Sequence, residues 1–421
     1  MPQFTLDSLR AAVDGGAVAF RSINRLLPAG GAHDKVFPPT YLKERNATTK
    51  YAFEDRVIDG VTTKTVLLDS VASQANRMEE ALLEAWNRGE LKFPLVRVDF
   101  SKVPELEDLD SISALQAPHR IADALLRDSL LGDVPFRIST VGRAITDARP
   151  DHATSMFAYC PTALLFGVWD STGPKGGLGS KFQRAIVSEI VGIGAAAGVK
   201  TASRLDPVGV QRGVTIYTDP NDPTGWTSEE ALGGKKGKPY NRGGAKEAGR
   251  PAAINHGNIP PTIDSEAGGV TIDHALHTVV ISLAALRRLR FPIRADGAPF
   301  ADRSARDVAE VAARTVIAAL GLAAIMHQYE RGYDLRSRSL LVGTGPLQIE
   351  QVSRDGTTTP VTLDRDTANR IVAEAAAAAA AAGLGWVVAP VELTPAPKLA
   401  DVIRASRRLA MSSADDGDGP V

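Results

Sequence analysis

The sequence predicts an α+β fold. Runs of strand-like segments are separated by helices, without the regular spacing of βαβ units. A chain of 421 residues that is 44 % apolar is long enough for one large elaborated core and too apolar to be mostly disordered. Glycine and proline number 38 and 26, which adds many loops to that core.

The elements follow in order. Residues 17–27 mix apolar and basic positions and stop at Pro28-Ala29-Gly30-Gly31, as a strand entering a turn does. Residues 51–58 and 64–68 flank Asp59-Gly60, a hairpin signal. Asp69-Ser70 caps a helix that runs to about Arg88 and is stopped by Gly89, with Val71, Met78, Leu82, Leu83 and Trp86 as its apolar stripe. A short strand is expected at 95–100 and an amphipathic helix at 119–129. Residues 162–169 read as a buried strand, 170–181 (DSTGPKGGLGSK) as a glycine-rich loop and 182–192 as a further strand. Residues 217–269 hold few apolar clusters and much Gly, Pro, Asn and Lys, the mark of a long functional loop. Strands are expected at 277–286 and 339–342, an Ala-rich helix at 303–332, helices at 366–382 and 398–411, and an extended piece at 386–391. Residues 412–421, with Asp415, Asp416 and Asp418, are expected to be a disordered tail.

Several chemistries are excluded by composition and spacing. The single Cys160 rules out a disulfide framework and a four-cysteine zinc site. His274 and His277 have no third ligand nearby, so no metal and no cofactor are expected. Gly192, Gly194 and Gly198 imitate a dinucleotide fingerprint, but no amphipathic helix opens after them and no acid follows at the required distance. In the 173–181 loop Ser180 intervenes between Gly179 and Lys181, which breaks the P-loop ending. No nucleophile elbow occurs. Residues 1–10 lack a secretory core and no uncharged apolar run reaches about 18 residues, so a cytoplasmic protein with no membrane partner is expected.

Anion binding survives these exclusions. Glycine amides in the 173–184 loop can approach a phosphate closely, Lys175, Lys181 and Arg184 supply charge, and Gln183 adds a neutral hydrogen bond. Ser73 and Gln74 lie in the first turn of their helix, where the free N–H groups favour an anion, and Arg77 lies one turn on. The formal net charge of −1 hides a segregation. Glu105, Glu107, Asp108 and Asp110 cluster, whereas residues 233–250 carry Lys235, Lys236, Lys238, Arg242, Lys246 and Arg250 against Glu247, a net +5. A basic arm with one aromatic, Tyr240, suits a nucleic-acid backbone. It leads to the turn-like Asn255-His256-Gly257-Asn258.

Taken together these residues resemble one family. Ser73-Gln74-Ala75-Asn76-Arg77 resembles the Ser-Gln-x-x-Arg helix of the backbone subunits of CRISPR Cascade complexes, Leu165-Phe166-Gly167 resembles their Leu-Phe-Gly strand, and Arg204-Leu205-Asp206-Pro207 resembles their Asp-Pro strand end. The runs 119–129 (HRIADALLRDS) and 169–184 (WDSTGPKGGLGSKFQR) are more specific and resemble the type I-G (formerly I-U) version, the GSU-family RAMP protein. The resemblance spans roughly residues 17–345.

The resemblance implies an RRM-like (ferredoxin-like) palm at about 1–216 and 270–345, with helical insertions, a basic thumb-like loop at about 217–269 and a C-terminal helical part at about 346–411. It implies a non-catalytic subunit that polymerises head to tail along the guide RNA (crRNA), which then pairs with target DNA. Implied partners are copies of the chain itself, a guide-processing or end-capping subunit, a large subunit and a recruited helicase-nuclease. The implied RNA contacts are Ser73, Gln74, Arg77, Lys175, Lys181, Gln183, Arg184, Lys235, Lys236, Lys238, Arg242 and His256. No base-stacking aromatic motif of the RRM kind is found. An alternative within the same superfamily is an endoribonuclease that cuts target RNA through a loop aspartate, for which Asp34 is the candidate.

Overall fold

The computed structural model describes residues 3–43, 45–173, 179–222, 224–232, 237–241 and 248–416, with backbone alone for 412–416. The chain is mixed α+β with mostly antiparallel sheets, and it divides into two compact units, residues 1–197 with 269–399 and residues 198–268 with 400–421.

The first unit is built on α1 (Leu6–Asp14), β1 (Ala17–Pro28), β2 (Phe53–Ile58), β3 (Val61–Asp69), α2 (Val71–Asn87), β4 (Ile186–Ile193), β5 (His274–Ser282), α3 (Arg303–Arg331), β6 (Tyr333–Asp334), β7 (Leu340–Gly343), β8 (Ile349–Ser353), β9 (Thr358–Val361) and α4 (Arg365–Ala381). The nine strands form one sheet in the order β6-β7-β1-β5-β4-β3-β2. β8 pairs with the start of β1, β7 pairs with its end, and β9 pairs with β8. Alternation along β1 and β5 buries Phe20, Leu26, Val279 and Ile281 on one face.

The two long helices have the ends their sequences require. The Ser70 hydroxyl accepts the Ser73 amide at α2, and Gly89 leaves that helix at φ +74°. Asp302 caps α3 through the Ala305 amide, and Gly332 ends it at φ +77°. α3 is Ala-rich because it is packed tightly. A Cβ on Gly321 would lie 2.8 Å from the Ile281 side chain of β5. By length and composition α3 could cross a membrane, but 83 % of its apolar window is buried inside the fold.

A second sheet joins residues 96–135 to the segment after α4. Its strand order is Ser111–Ser113, Val96–Asp99, Val391–Pro395, Ser129–Leu131, Val134–Pro135. Val391–Pro395 runs parallel to Val96–Asp99, so the segment after α4 completes a sheet begun by residues 96–135.

Four expectations are corrected. Residues 119–129 are not one helix. A 3-10 turn (Arg120–Ala122) and a single helical turn (Ala124–Arg127) are separated by Asp123, whose backbone is extended and whose carboxylate caps the Leu125 amide, and Ser129–Leu131 is already strand. Residues 162–169 are not one strand. Pro161 opens a short helix, Pro161–Phe166, and Gly167 turns it at φ +80° into the strand Val168–Trp169. The strand expected at 277–286 is β5 and ends at Ser282, whose hydroxyl caps the helical turn Leu283–Leu286. The last helix, Pro397–Asp416, runs through the first residues of the expected disordered tail, and 417–421 lie outside the described residues.

In the second unit Lys200–Arg204 pairs antiparallel with Ile259–Asp264, and Tyr217–Thr218 pairs with Trp226–Thr227.

Candidate nucleic-acid interface

The glycine-rich loop has a built stem. Val168–Trp169 pairs with Lys181–Phe182, and the Asp170 amide donates to the Ser180 carbonyl at 2.9 Å. The buried Asp170 carboxylate lies 2.8 and 2.9 Å from Arg137 Nη2 and accepts the Thr172 amide at 3.1 Å. Arg137 Nη1 also donates to the Thr172 carbonyl at 2.8 Å. Gly179 is required here, because a Cβ would sit 2.8 Å from the Asp170 carbonyl oxygen. Residues 174–178, including Lys175, lie outside the described residues.

The two specific sequence runs meet beside this stem. Arg120, from the first run, donates to the Gly167 carbonyl at 3.3 Å and grips Glu79 of α2 with Nε and Nη2 at 2.6 and 2.8 Å. Burial pushes the Glu79 carboxyl up, against the opposing pull of Arg120. Arg184, from the second run, is part-buried beside this pair and makes no hydrogen bond or ion pair among the described residues. Burial lowers its guanidinium from the ordinary value, Arg120 adds to that, and Glu79 opposes it. Arg120 alone is paired with Glu79, and the Arg184 guanidinium beside them has no ion-pair partner among the described residues. A phosphate is the group that such a site favours.

Lys181 is exposed, with Nζ 5.3 Å from the centre of the Trp169 ring. Gln183 is exposed and accepts from Arg288 Nη1 at 2.9 Å. The sequence does not single out Trp169, Arg120 and Glu79 as site residues. Trp169 has a local signal, its place directly before the loop. The Arg120–Glu79 pairing has none, because its members are 41 residues apart.

The start of α2 turns inward. Asp69, fully buried, accepts from Ser73 Oγ (2.8 Å), Gln74 Nε2 (2.6 Å), Arg77 Nε (2.9 Å) and Arg336 Nη2 (3.1 Å). Arg77 Nη2 also donates to the Leu335 carbonyl at 2.6 Å. Gln74 Oε1 accepts from Ser188 Oγ at 3.0 Å and from Gln328 Nε2 at 2.8 Å. Since the one Ser188 proton goes to Gln74, His277 Nε2 must donate to Ser188 Oγ (2.9 Å), and His277 Nδ1 accepts the Tyr333 hydroxyl (3.1 Å). Burial lowers His277 to about 4 and raises Tyr333 to about 12, so this relay is neutral around its imidazole. The expected phosphate contact of Gln74 has no exposed group to make it with: the side chain is a buried strut between α2, β4 and α3. Ser73 and Arg77 are only partly buried, with hydroxyl and guanidinium committed to Asp69.

In the second unit Lys235, Lys236 and Arg242 lie outside the described residues, and Lys238 is exposed. His256 sits in a clipped turn. Asp206 accepts the amides of Gly257 (2.5 Å) and Val208 (3.1 Å), its Oδ2 is 3.3 Å from His256 Nδ1, and its own amide donates to Asn258 Oδ1 at 2.7 Å. The Gly257 amide is the main reason the Asp206 carboxyl lies below its usual range. Arg204 donates to the carbonyls of His256 and Gly257.

Asp34 is exposed in the turn after β1 and accepts the Lys35 amide at 2.8 Å. No three His, Cys, Asp or Glu side chains gather as a metal site among the described residues.

No curated protein matches the chain. Residues 21–197, which span β1 to β4 and contain both specific runs, match the family model described as CRISPR-associated protein GSU0053 (Cas_GSU0053), and the match supports a CRISPR-associated (Cas) protein.

Proposed function

We propose that the chain is a non-catalytic guide-RNA-binding subunit that forms the backbone of a type I-G interference complex in the cytoplasm. The observation that carries this reading is the convergence of residues 119–129 and 169–184 on one patch, where Arg120 is paired with Glu79 and Arg184 has no ion-pair partner among the described residues, inside the stretch that matches the family model. The sheet order supports an RRM-like palm. Taken as β1, α2, β4, β5, α3 and β7/β8, the first unit has β-α-β-β-α-β connectivity, and its strands lie with the fourth beside the first, then the third, then the second. Residues 194–273, which include the basic segment, are inserted between the second and third strands of that series, where a thumb would leave the palm.

In this role the protein holds guide phosphates and leaves base edges free to pair with target DNA. Arg184, Lys181 and the loop amides serve as backbone contacts, and residues 233–250 add a basic arm. Copies stack head to tail on the RNA, which sets the length of the filament. The large, end-capping and helicase-nuclease partners dock on the assembled particle.

Co-expression with a CRISPR array and the neighbouring subunits tests the reading. The chain is expected to co-purify with RNA of one discrete length. Recovery without RNA, or with RNA of random length, overturns it. Incubating the same particle with complementary labelled RNA and a divalent cation tests the absence of catalysis: periodic cleavage that is lost in Asp34→Ala would establish the endoribonuclease instead.

A further inference from the structure

We propose that Trp169 is a stacking platform for an unpaired base of bound RNA, with Lys181 holding the phosphate of the same strand; this rests on the guide-binding reading above.

The first ground is exposure. Tryptophan has the largest apolar side chain and is normally well covered. Trp169 is 59 % exposed, while the chain's other three tryptophans are only partly so. The second ground is rigidity. Trp169 does not sit on a loop tip. It lies in the strand that pairs with Lys181–Phe182, next to the buried Asp170–Arg137 clasp, so its backbone is fixed before any ligand arrives. A preorganised ring loses little entropy on stacking.

The third ground is what surrounds the ring. An apolar protein partner would call for an apolar rim. The residue opposite the ring is instead cationic. Trp169 and Lys181 are directly opposite in the ladder, and the ammonium lies 5.3 Å from the ring centre. Arg184 follows three residues after Lys181 and makes no ion pair among the described residues. An aromatic face next to positive charge is the combination that takes a base and its backbone together, independent of sequence. A subunit that must coat any guide requires that independence.

The test uses the full chain and a labelled oligouridylate in place of a natural guide. Tryptophan emission and affinity are read for the wild type, Trp169→Phe and Trp169→Leu. Phenylalanine retains an aromatic face, and leucine retains only apolar bulk. Binding is expected to quench wild-type emission. Trp169→Phe should lose most of that quenching with affinity nearly kept. Trp169→Leu should lose roughly 5- to 150-fold in affinity, with the salt dependence unchanged. Wild-type binding that is matched by Trp169→Leu overturns the stacking role alone. Loss of self-association without RNA in Trp169→Leu also overturns it and assigns the ring to a protein contact. A wild type that does not bind the oligonucleotide overturns the guide-binding reading as well. Should the leucine variant fail to fold, the quenching difference between wild type and Trp169→Phe still decides the case.

Discussion

The Asp69 carboxylate and the Arg77 guanidinium meet at 2.9 Å across the first two turns of α2, the acid fully buried and the arginine side chain 28 % exposed. Because Arg336 shares that carboxylate and Arg77 also reaches the Leu335 carbonyl, the contact fastens α2 and β3 to the segment after β6. Asp69→Asn keeps the shape and removes the charge that two guanidinium groups face. It should destabilise the first unit by about 3 kcal/mol. Urea unfolding followed by circular dichroism measures this, and an unchanged midpoint would show the network to be dispensable.

His277 makes stability depend on pH. Its folded value is about 4, against an ordinary value of 6.5. The unfolded chain therefore binds a proton below pH 6.5 that the folded chain refuses until about pH 4. Above pH 6.5 the group contributes no pH dependence. Between pH 6.5 and 4 stability falls as the pH drops, by about 3 kcal/mol for a difference near 2.5 units. His277→Gln, which cannot titrate, should flatten the stability–pH curve in that window, and parallel curves for the two proteins would refute the assignment.

Arg184 separates binding from folding. Its guanidinium has no acid of its own and lies next to Arg120, so Arg184→Gln should leave the unfolding midpoint nearly unchanged. RNA affinity should drop, and the slope of log K against log salt should shrink by about 0.7, the value for one lost contact to a single-stranded phosphate. Fluorescence titrations at four salt concentrations supply that slope. An unaltered slope removes Arg184 from the interface.

Arg137 governs the loop stem. Arg137→Ala strands the buried Asp170 carboxylate, and the ribbon should open to relieve it. Trypsin should then cut at Lys181 about tenfold faster than in the wild type, with smaller changes elsewhere. The double variant Arg137→Ala/Asp170→Asn should recover most of the protection, since no buried charge is left.

Elements whose signals are local were legible in the sequence. Ser70, Gly89 and the stripe through Met78 and Leu82 bound α2, and Asp59-Gly60 marks the hairpin between β2 and β3. Residues 162–166 read as strand although they are helix, because a short run buried on all sides has no period to distinguish the two. The deciding feature was Pro161 at its first position. Gln74 shows a different limit. At a helix start it reads as a polar contact for a ligand, yet its partners Ser188 and Gln328 lie 114 and 254 residues away and enclose it. Nothing in a sequence window reports such partners. The patch at Arg120, Glu79 and Arg184 is hidden for the same reason, although two of its three members lie in the runs 119–129 and 169–184.

The hairpin geometry between β4 and β5 has a consequence for how the chain can vary. Ile193 and His274 are paired neighbours, and Ala197 still pairs with Val270 beyond them. The long excursion therefore leaves and re-enters the sheet at a single doorway. Residues added or removed past that doorway do not shift the register of any strand in the sheet. Each doubling of the excursion adds only about 0.6 kcal/mol of closure entropy. This part of the chain can be lengthened or shortened while the pairing of the sheet stays the same.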